Sequence, residues 1–408
     1  MTRSTDLSRR QALATAAGFG LSLNFVARQS FAASQGSQAA KKLVLVICRG
    51  GMDGLTVAPP VGDPDYEGLR RSLAISDAAL KLDGTFGLHP SLSAVHAMAL
   101  AGQARIVPAV ATPDRARSHF EAQDVLESGA ATVYGTASGW LNRAVGSLAA
   151  QRRVEAISIG ATAPLVLRGP AAVSSWSPGK LVDASARLPS LLQDLYKDDP
   201  VLGPAFARGL ATETMAGSAM GDGGMSEMGQ AANTKAYLKQ GQDASRKLGE
   251  TVAGFMREPT GPQIAAISLD GFDTHANQLG QLNLRLANLD AVLDGLHIGL
   301  GDEWPDTVVI VATEFGRTAR ANGTAGTDHG TASTALVLGG GLKRGGIIGD
   351  WPTLKAASLF ENRDLAPSLD MRALFKGVLA EQLGVEAKAL DAAVFPNSAG
   401  VKGVAGLV

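Results

Sequence analysis

An α/β fold around a mainly parallel sheet is predicted by two features of this sequence. Short runs rich in Val, Ile and Leu recur along the chain, at 43–48 (LVLVIC), 105–110 (RIVPAV), 154–159 (VEAISI), 264–269 (IAAISL), 307–312 (TVVIVA) and 335–338 (ALVL). Between them lie segments whose apolar residues repeat every three or four positions. Near-continuous apolar runs suit strands covered on both faces, and their alternation with amphipathic helices is the pattern of a layered α/β domain.

Taken in order, LVLVIC supplies a first central strand, with Cys48 as its buried last residue. LSAVHAMALAG, from Leu92, and SHFEAQDVLESG, from Ser118, read as helices on either side of RIVPAV. WLNRAVGSLAAQ, from Trp140, precedes VEAISI as a helix. The long LGQLNLRLANLDAVLDGL, from Leu279, links IAAISL to TVVIVA, and MRALFKGVLAEQLG, from Met371, closes the series. Residues 211–233 break the pattern. They are small, polar and glycine-rich, and carry Met215, Met220, Met225 and Met228. They read as a flexible insertion, the alternative being a soft thioether site for Cu(I).

The chain has 408 residues, 45% hydrophobic and 18% charged, which excludes disorder over most of its length. Its 37 basic and 38 acidic side chains give a net charge of −1, and aromatics are 5%. No basic excess or stacking platform points to nucleic acid. The single cysteine excludes an intramolecular disulfide and a cysteine-rich metal centre.

The first residues read as a leader. Arg9 and Arg10 stand before a weakly apolar stretch from Ala12 to Val26, and Ser30 and Ala32 fit a small-residue cleavage site. This order is that of a twin-arginine export signal over residues 1–32, the alternative being a cytosolic amphipathic helix. Its removal takes away a net +3 (Arg3, Arg9, Arg10 and Arg28, less Asp6), leaving the mature chain near −4. No other stretch has 18 continuous apolar residues, so no stable membrane span is expected after removal. The expectation is a periplasmic or secreted protein that meets the twin-arginine translocon on its way out.

Ligands of open parallel sheets bind beyond the carboxyl ends of the strands, and four such ends carry unusual residues. After LVLVIC, RGGMDG places Asp53 among three glycines, as a cation ligand or a turn former. After RIVPAV, TPDRARSHFEAQ sets Ser118 at a helix start, as a nucleophile or as an N-cap paired with Glu121. There Arg115 and Arg117 are candidate anion clamps, and His119 a base, ligand or structural residue. After IAAISL, DGFDTHANQ holds Asp270, Asp273 and His275 within six residues, as metal ligands unless Asp273 or Thr274 caps a helix near Ala276. After TVVIVA come Glu314 and Arg317, then Asp328 and His329 between glycines. The expected metal set is Asp53, Asp270, Asp273, His275, Glu314, Asp328 and His329. Such mixed carboxylate and imidazole ligands suit one or two divalent ions: Zn, Mn or Fe, with Mg or Ca at an oxygen-rich half. His89, His96 and His297 are taken as structural.

SRRQAL, RGGMDGL, RSHFEAQ, GWLNR, DGFDTHANQ and TEFGRTARANGTAGTDHG together resemble the bacterial domain-of-unknown-function 1501 family, over about residues 41–385. That family is similar to the alkaline phosphatase and sulfatase superfamily. The resemblance implies a three-layer α/β sandwich over 41–395 and a one- or two-metal site. Asp53 is implied as the early metal ligand, and Ser118 as the nucleophile on a helix ending at Gly129. Asp273 (or Asp270) with His275 is the implied Asp–His pair, and His329 the late histidine. Two departures stand out: Glu314 replaces an Asp, and Phe315 a usual ligand. No sulfatase-type CxPSR motif is present. The implied activity is hydrolysis of phosphate or sulfate esters, of small molecules or polymers. The alternative is a cell-envelope binding or assembly protein that kept the fold and lost catalysis.

Overall fold

β1 (Lys42–Cys48) is the centre of the sheet, and its alternate side chains enter two different cores. The computed structural model describes residues 41–160, 163–178, 199, scattered positions between 201 and 215, 234–343 and 345–408. The expected leader lies outside the described residues, as does the 211–233 insertion apart from Thr212 and Met215. The described residues from Lys41 to Val408 form one compact unit. None of its helices is long and apolar enough to cross a membrane.

The other main strands are β4 (Ala104–Ala111), β5 (Ala156–Ile159), β6 (Ser174–Trp176), β7 (Ile264–Leu269), β8 (Thr307–Ala312) and β9 (Ser333–Leu338). They pair in the order β4-β9-β8-β1-β7-β5-β6. The short β10 (Gly346–Ile347) and β11 (Leu369–Asp370) each pair with β4, while β2 (Leu80–Lys81) and β3 (Gly87–Leu88) make a separate hairpin-like pair. All six expected strands are present. The sheet is mainly parallel, but β9 runs antiparallel to both β4 and β8. That reversal matters for the site. The segment entering β9 stands at the same edge as the segments leaving β1, β4, β7 and β8.

Val44, Val46 and Cys48 of β1 face one helical layer, formed by α3 (Ser93–Leu100), α6 (Thr234–Arg257) and α7 (Gln278–Leu300). Leu43, Leu45 and Ile47 face the other, containing α5 (Trp140–Ala149) and α8 (Met371–Leu383). Burial of both faces is why the strands read as continuous apolar runs rather than alternating ones. α6 is absent from the sequence-based reading, although Val252, Phe255 and Met256 on it are core residues. The packing continues past residue 395: Val404 N donates to Ala373 O at 2.9 Å, and Leu407 is fully buried.

Three short elements fix the site. α1 (Gly54–Val57) and α2 (Tyr66–Arg70) follow β1, and α4 (His119–Ser128) follows β4. α4 ends, as expected, at Gly129 in the left-handed conformation.

Candidate metal centre

After β1 the chain must turn within three residues. Gly50 (φ +115) and Gly51 (φ +68) adopt conformations that side chains oppose. A Cβ on Gly50 would strike the Asp273 backbone, and one on Gly51 the Phe315 ring. The turn frees the Gly50 N–H, which donates to Glu314 Oε1 at 2.8 Å.

Asp273 is the hub of the site. Its Oδ1 lies 3.0 Å from His275 Nε2, 3.2 Å from His329 Nε2 and 2.7 Å from Arg317 Nη1. Its Oδ2 is 3.4 Å from His119 Nε2, a buried nitrogen without a hydrogen-bond partner. His275 Nε2 and His329 Nε2 face each other at 3.0 Å.

The far nitrogen of each ring is anchored to an oxygen. His119 Nδ1 meets Glu314 Oε1 at 2.9 Å, His275 Nδ1 meets Asp328 Oδ1 at 3.2 Å, and His329 Nδ1 meets the Arg117 carbonyl at 2.9 Å. Acceptors on Nδ1 place the proton there and leave the Nε2 lone pair turned inward. Three lone pairs converging on a carboxylate repel one another unless a cation or extra protons lie between them. His119, Asp273 and His329 each offer one ligand atom within 4.8 Å of the others, a grouping able to hold an ion, and His275 Nε2 stands 3.0 Å from both Asp273 and His329 on its exposed side. The donor set fits a divalent ion of the zinc, manganese or iron type.

Neighbouring charges prepare the group. Burial opposes ionisation of Asp273, yet the hydrogen bond and charge of buried Arg317 hold its carboxyl below the usual range. Burial also works against Glu314, but hydrogen bonds led by that from His119 keep it ionised. The Glu314 hydrogen bond raises His119, against the effect of burial. Burial lowers His329, favouring the neutral ring that a metal needs.

The expected residues divide into two sets. The structure brings Asp273, His275 and His329 together, whereas Asp328 and Glu314, expected as ligands, stand behind the His275 and His119 rings on their Nδ1 atoms. His119 joins the inward-facing nitrogens. Asp53 stands apart: its carboxylate accepts from the Leu55 amide at 3.2 Å, Thr56 Oγ1 at 2.8 Å and Gln278 Nε2 at 2.5 Å, and pairs with the fully buried Arg70. The Arg70 guanidinium is the cation beside Asp53. Asp53 still reaches the hub indirectly. Gln278 Oε1 accepts from Thr327 Oγ1 at 2.5 Å, and that hydroxyl accepts from Arg317 Nε at 3.2 Å. Asp270 is exposed and lines a neighbouring cleft. Phe315 is buried against the His119 and His329 rings, at centroid distances of 4.8 and 4.9 Å.

Ser118 occupies the N-cap position of α4, but its hydroxyl makes no capping bond. Arg117 before it is left-handed (φ +57), a strained conformation for a residue with a side chain, and its carbonyl is the one that anchors His329. Its guanidinium pairs with Asp364 at 2.9 Å and Glu361 at 2.5 Å, and Arg115 bonds the Thr112 and Asp114 carbonyls. The helix expected near Ala276 starts at Gln278 with left-handed Asn277 as its cap. Sequence reasoning left Arg317 and Gln278 without roles, though Arg317 stands in the TEFGRT motif.

The fold and site define an α/β protein with a three-histidine, one-aspartate group at the carboxyl edge of its sheet. The chain belongs to the family described as "Protein of unknown function (DUF1501)", whose model matches residues 40–394. No curated protein matches the sequence. Among solved structures it is similar to Ps i-CgsB in complex with k-i-k-neocarrahexaose (TM-score 0.41, 9% identity, 90% of this chain and 75% of that chain). It is also similar to the lipoteichoic acid synthase LtaP from Listeria monocytogenes (0.38, 11%, 87% and 75%). A third similar structure is the alkaline phosphatase of the Antarctic bacterium TAB5 (0.36, 11%, 76% and 95%).

Proposed function

We propose that this protein is an exported hydrolase of phosphate or sulfate esters that works with one divalent ion. The convergence of the His119, His275 and His329 Nε2 atoms on Asp273 carries this reading. An ion held there supplies Lewis acidity toward the oxygens of a phosphoryl or sulfuryl group. A single ion is favoured because Arg70 already neutralises Asp53, and because Phe315 presents a ring where a further ligand would be needed.

In this reading Ser118 is the nucleophile. Its oxygen bonds to phosphorus or sulfur as the ester oxygen departs with a proton, and water then releases the acid and restores the hydroxyl. The absence of a capping bond on Ser118 leaves that oxygen available. Arg117 is a positioning residue, acting through its carbonyl on His329. The paired arginines and cleavage-site residues of the first 32 positions support export by the twin-arginine route.

A binding or assembly role in the cell envelope is the second reading, favoured by Phe315. A panel of phosphomonoesters, phosphodiesters and sulfate esters separates the two. Turnover that disappears in Ser118→Ala while bound metal is retained supports the hydrolase. Full metal occupancy with no turnover of any ester rejects it in favour of the binding role.

A further inference from the structure

A cleft of about 610 Å³ lies beside the metal group, within the size range of small-molecule sites. Gln123 joins the two: its Nε2 donates to Glu314 Oε1 at 3.2 Å, and its Oε1 accepts from Arg49 of the cleft at 2.9 Å. Two of the most exposed aromatic side chains line this cleft, Phe120 at 86% and Tyr134 at 76% exposure. Neither position is explained by packing. Phe120 directly follows His119 on α4, whose buried face is made by Ala122, Val125 and Leu126. Tyr134 is left-handed (φ +55), held there by its N–H donating to Asp124 Oδ2 at 2.7 Å. Two exposed aromatic rings lining one polar cleft offer apolar faces to a ligand within it. Arg168 of the same wall is exposed, its Nε on the Ala163 carbonyl at 2.7 Å.

We infer that this cleft is a subsite for the organic group of the ester, and that the group is a ring with an apolar face. Phe120 and Tyr134 cover that face, while Arg168 and Asp270 meet polar substituents at the ring edge. The inference rests on the ester reading of the adjacent metal group. It adds a selectivity: esters of ring-bearing alcohols over esters of small alkyl alcohols.

Phosphonates test it without turnover. Calorimetry on the zinc-loaded protein compares phenylphosphonate with methylphosphonate, and phenylsulfonate with methylsulfonate. Ring stacking predicts roughly ten-fold tighter binding of at least one phenyl compound than of its methyl partner. Phe120→Ala and Tyr134→Ala each reduce that preference, and the double variant removes it with the methyl compound's affinity unchanged. Equal affinities in the wild type, or a preference that survives the double variant, overturns the subsite and leaves the ester reading standing. Failure of all four compounds to bind overturns the ester reading, and the subsite with it.

Discussion

His275 and His329 point their Nε2 atoms at each other across 3.0 Å, and Asp273 Oδ1 lies within 3.2 Å of both. Anchoring of their Nδ1 atoms on Asp328 and on the Arg117 carbonyl leaves no other direction for the lone pairs. Two ring nitrogens that face each other beside a carboxylate are arranged to share a cation.

The first expected consequence is one divalent ion per chain in the purified protein, measured by elemental mass spectrometry. Asp273→Ala and His329→Ala each lose it, whereas Asp53→Asn keeps it. Two ions per chain would refute the single-ion site.

Glu314 acts on the ion through His119. Replacing it by Gln removes the charge that fixes the Nδ1 proton, so affinity in a chelator competition falls by roughly 10–100-fold. Unchanged affinity would show that His119 is not a ligand.

Asp53 and Arg70 form a buried ion pair whose partners also bond Thr56, Gln278 and main-chain atoms. Removing one partner strands the other charge. Asp53→Ala is expected to destabilise the fold by about 3–5 kcal/mol in denaturant unfolding. A loss below about 1 kcal/mol, the size of an exposed pair, would contradict this account.

Burial pushes the His89 imidazole down to about 4, from an ordinary value of 6.5. Its Nδ1 accepts from the Ser91 N–H at 3.1 Å, so the ring is neutral in the fold. Between those two values the unfolded chain binds the extra proton, so stability rises with pH through that window. The stabilisation is complete above 6.5 and lost below about 4, amounting to about 3 kcal/mol. His89→Gln should flatten the dependence of unfolding free energy on pH between 4 and 6.5. A slope identical to wild type would assign the acid lability elsewhere.

The fold was largely legible because buried strands and amphipathic helices write themselves as local patterns. LVLVIC, IAAISL and TVVIVA are strands within one residue of their expected bounds. α6 was missed beside the glycine-rich stretch that hides its start. The nearness of Asp273, His275 and His329 to one another was legible because each stands within a few residues of a strand end.

The sequence by itself determined which residue types stand at the strand ends, since chain order and apolar runs are local properties. Strand direction is not local. A buried run such as ALVL reads the same either way, and only pairing shows that β9 runs against its neighbours and so carries His329 to the carboxyl edge. Charge partnership is not local either. Asp53 is identical on paper whether it meets an ion or Arg70, which is 17 positions away, and the tertiary structure chose the guanidinium. The same folding brought His119, a residue of another loop, within reach of Asp273 and made it the third inward-facing imidazole.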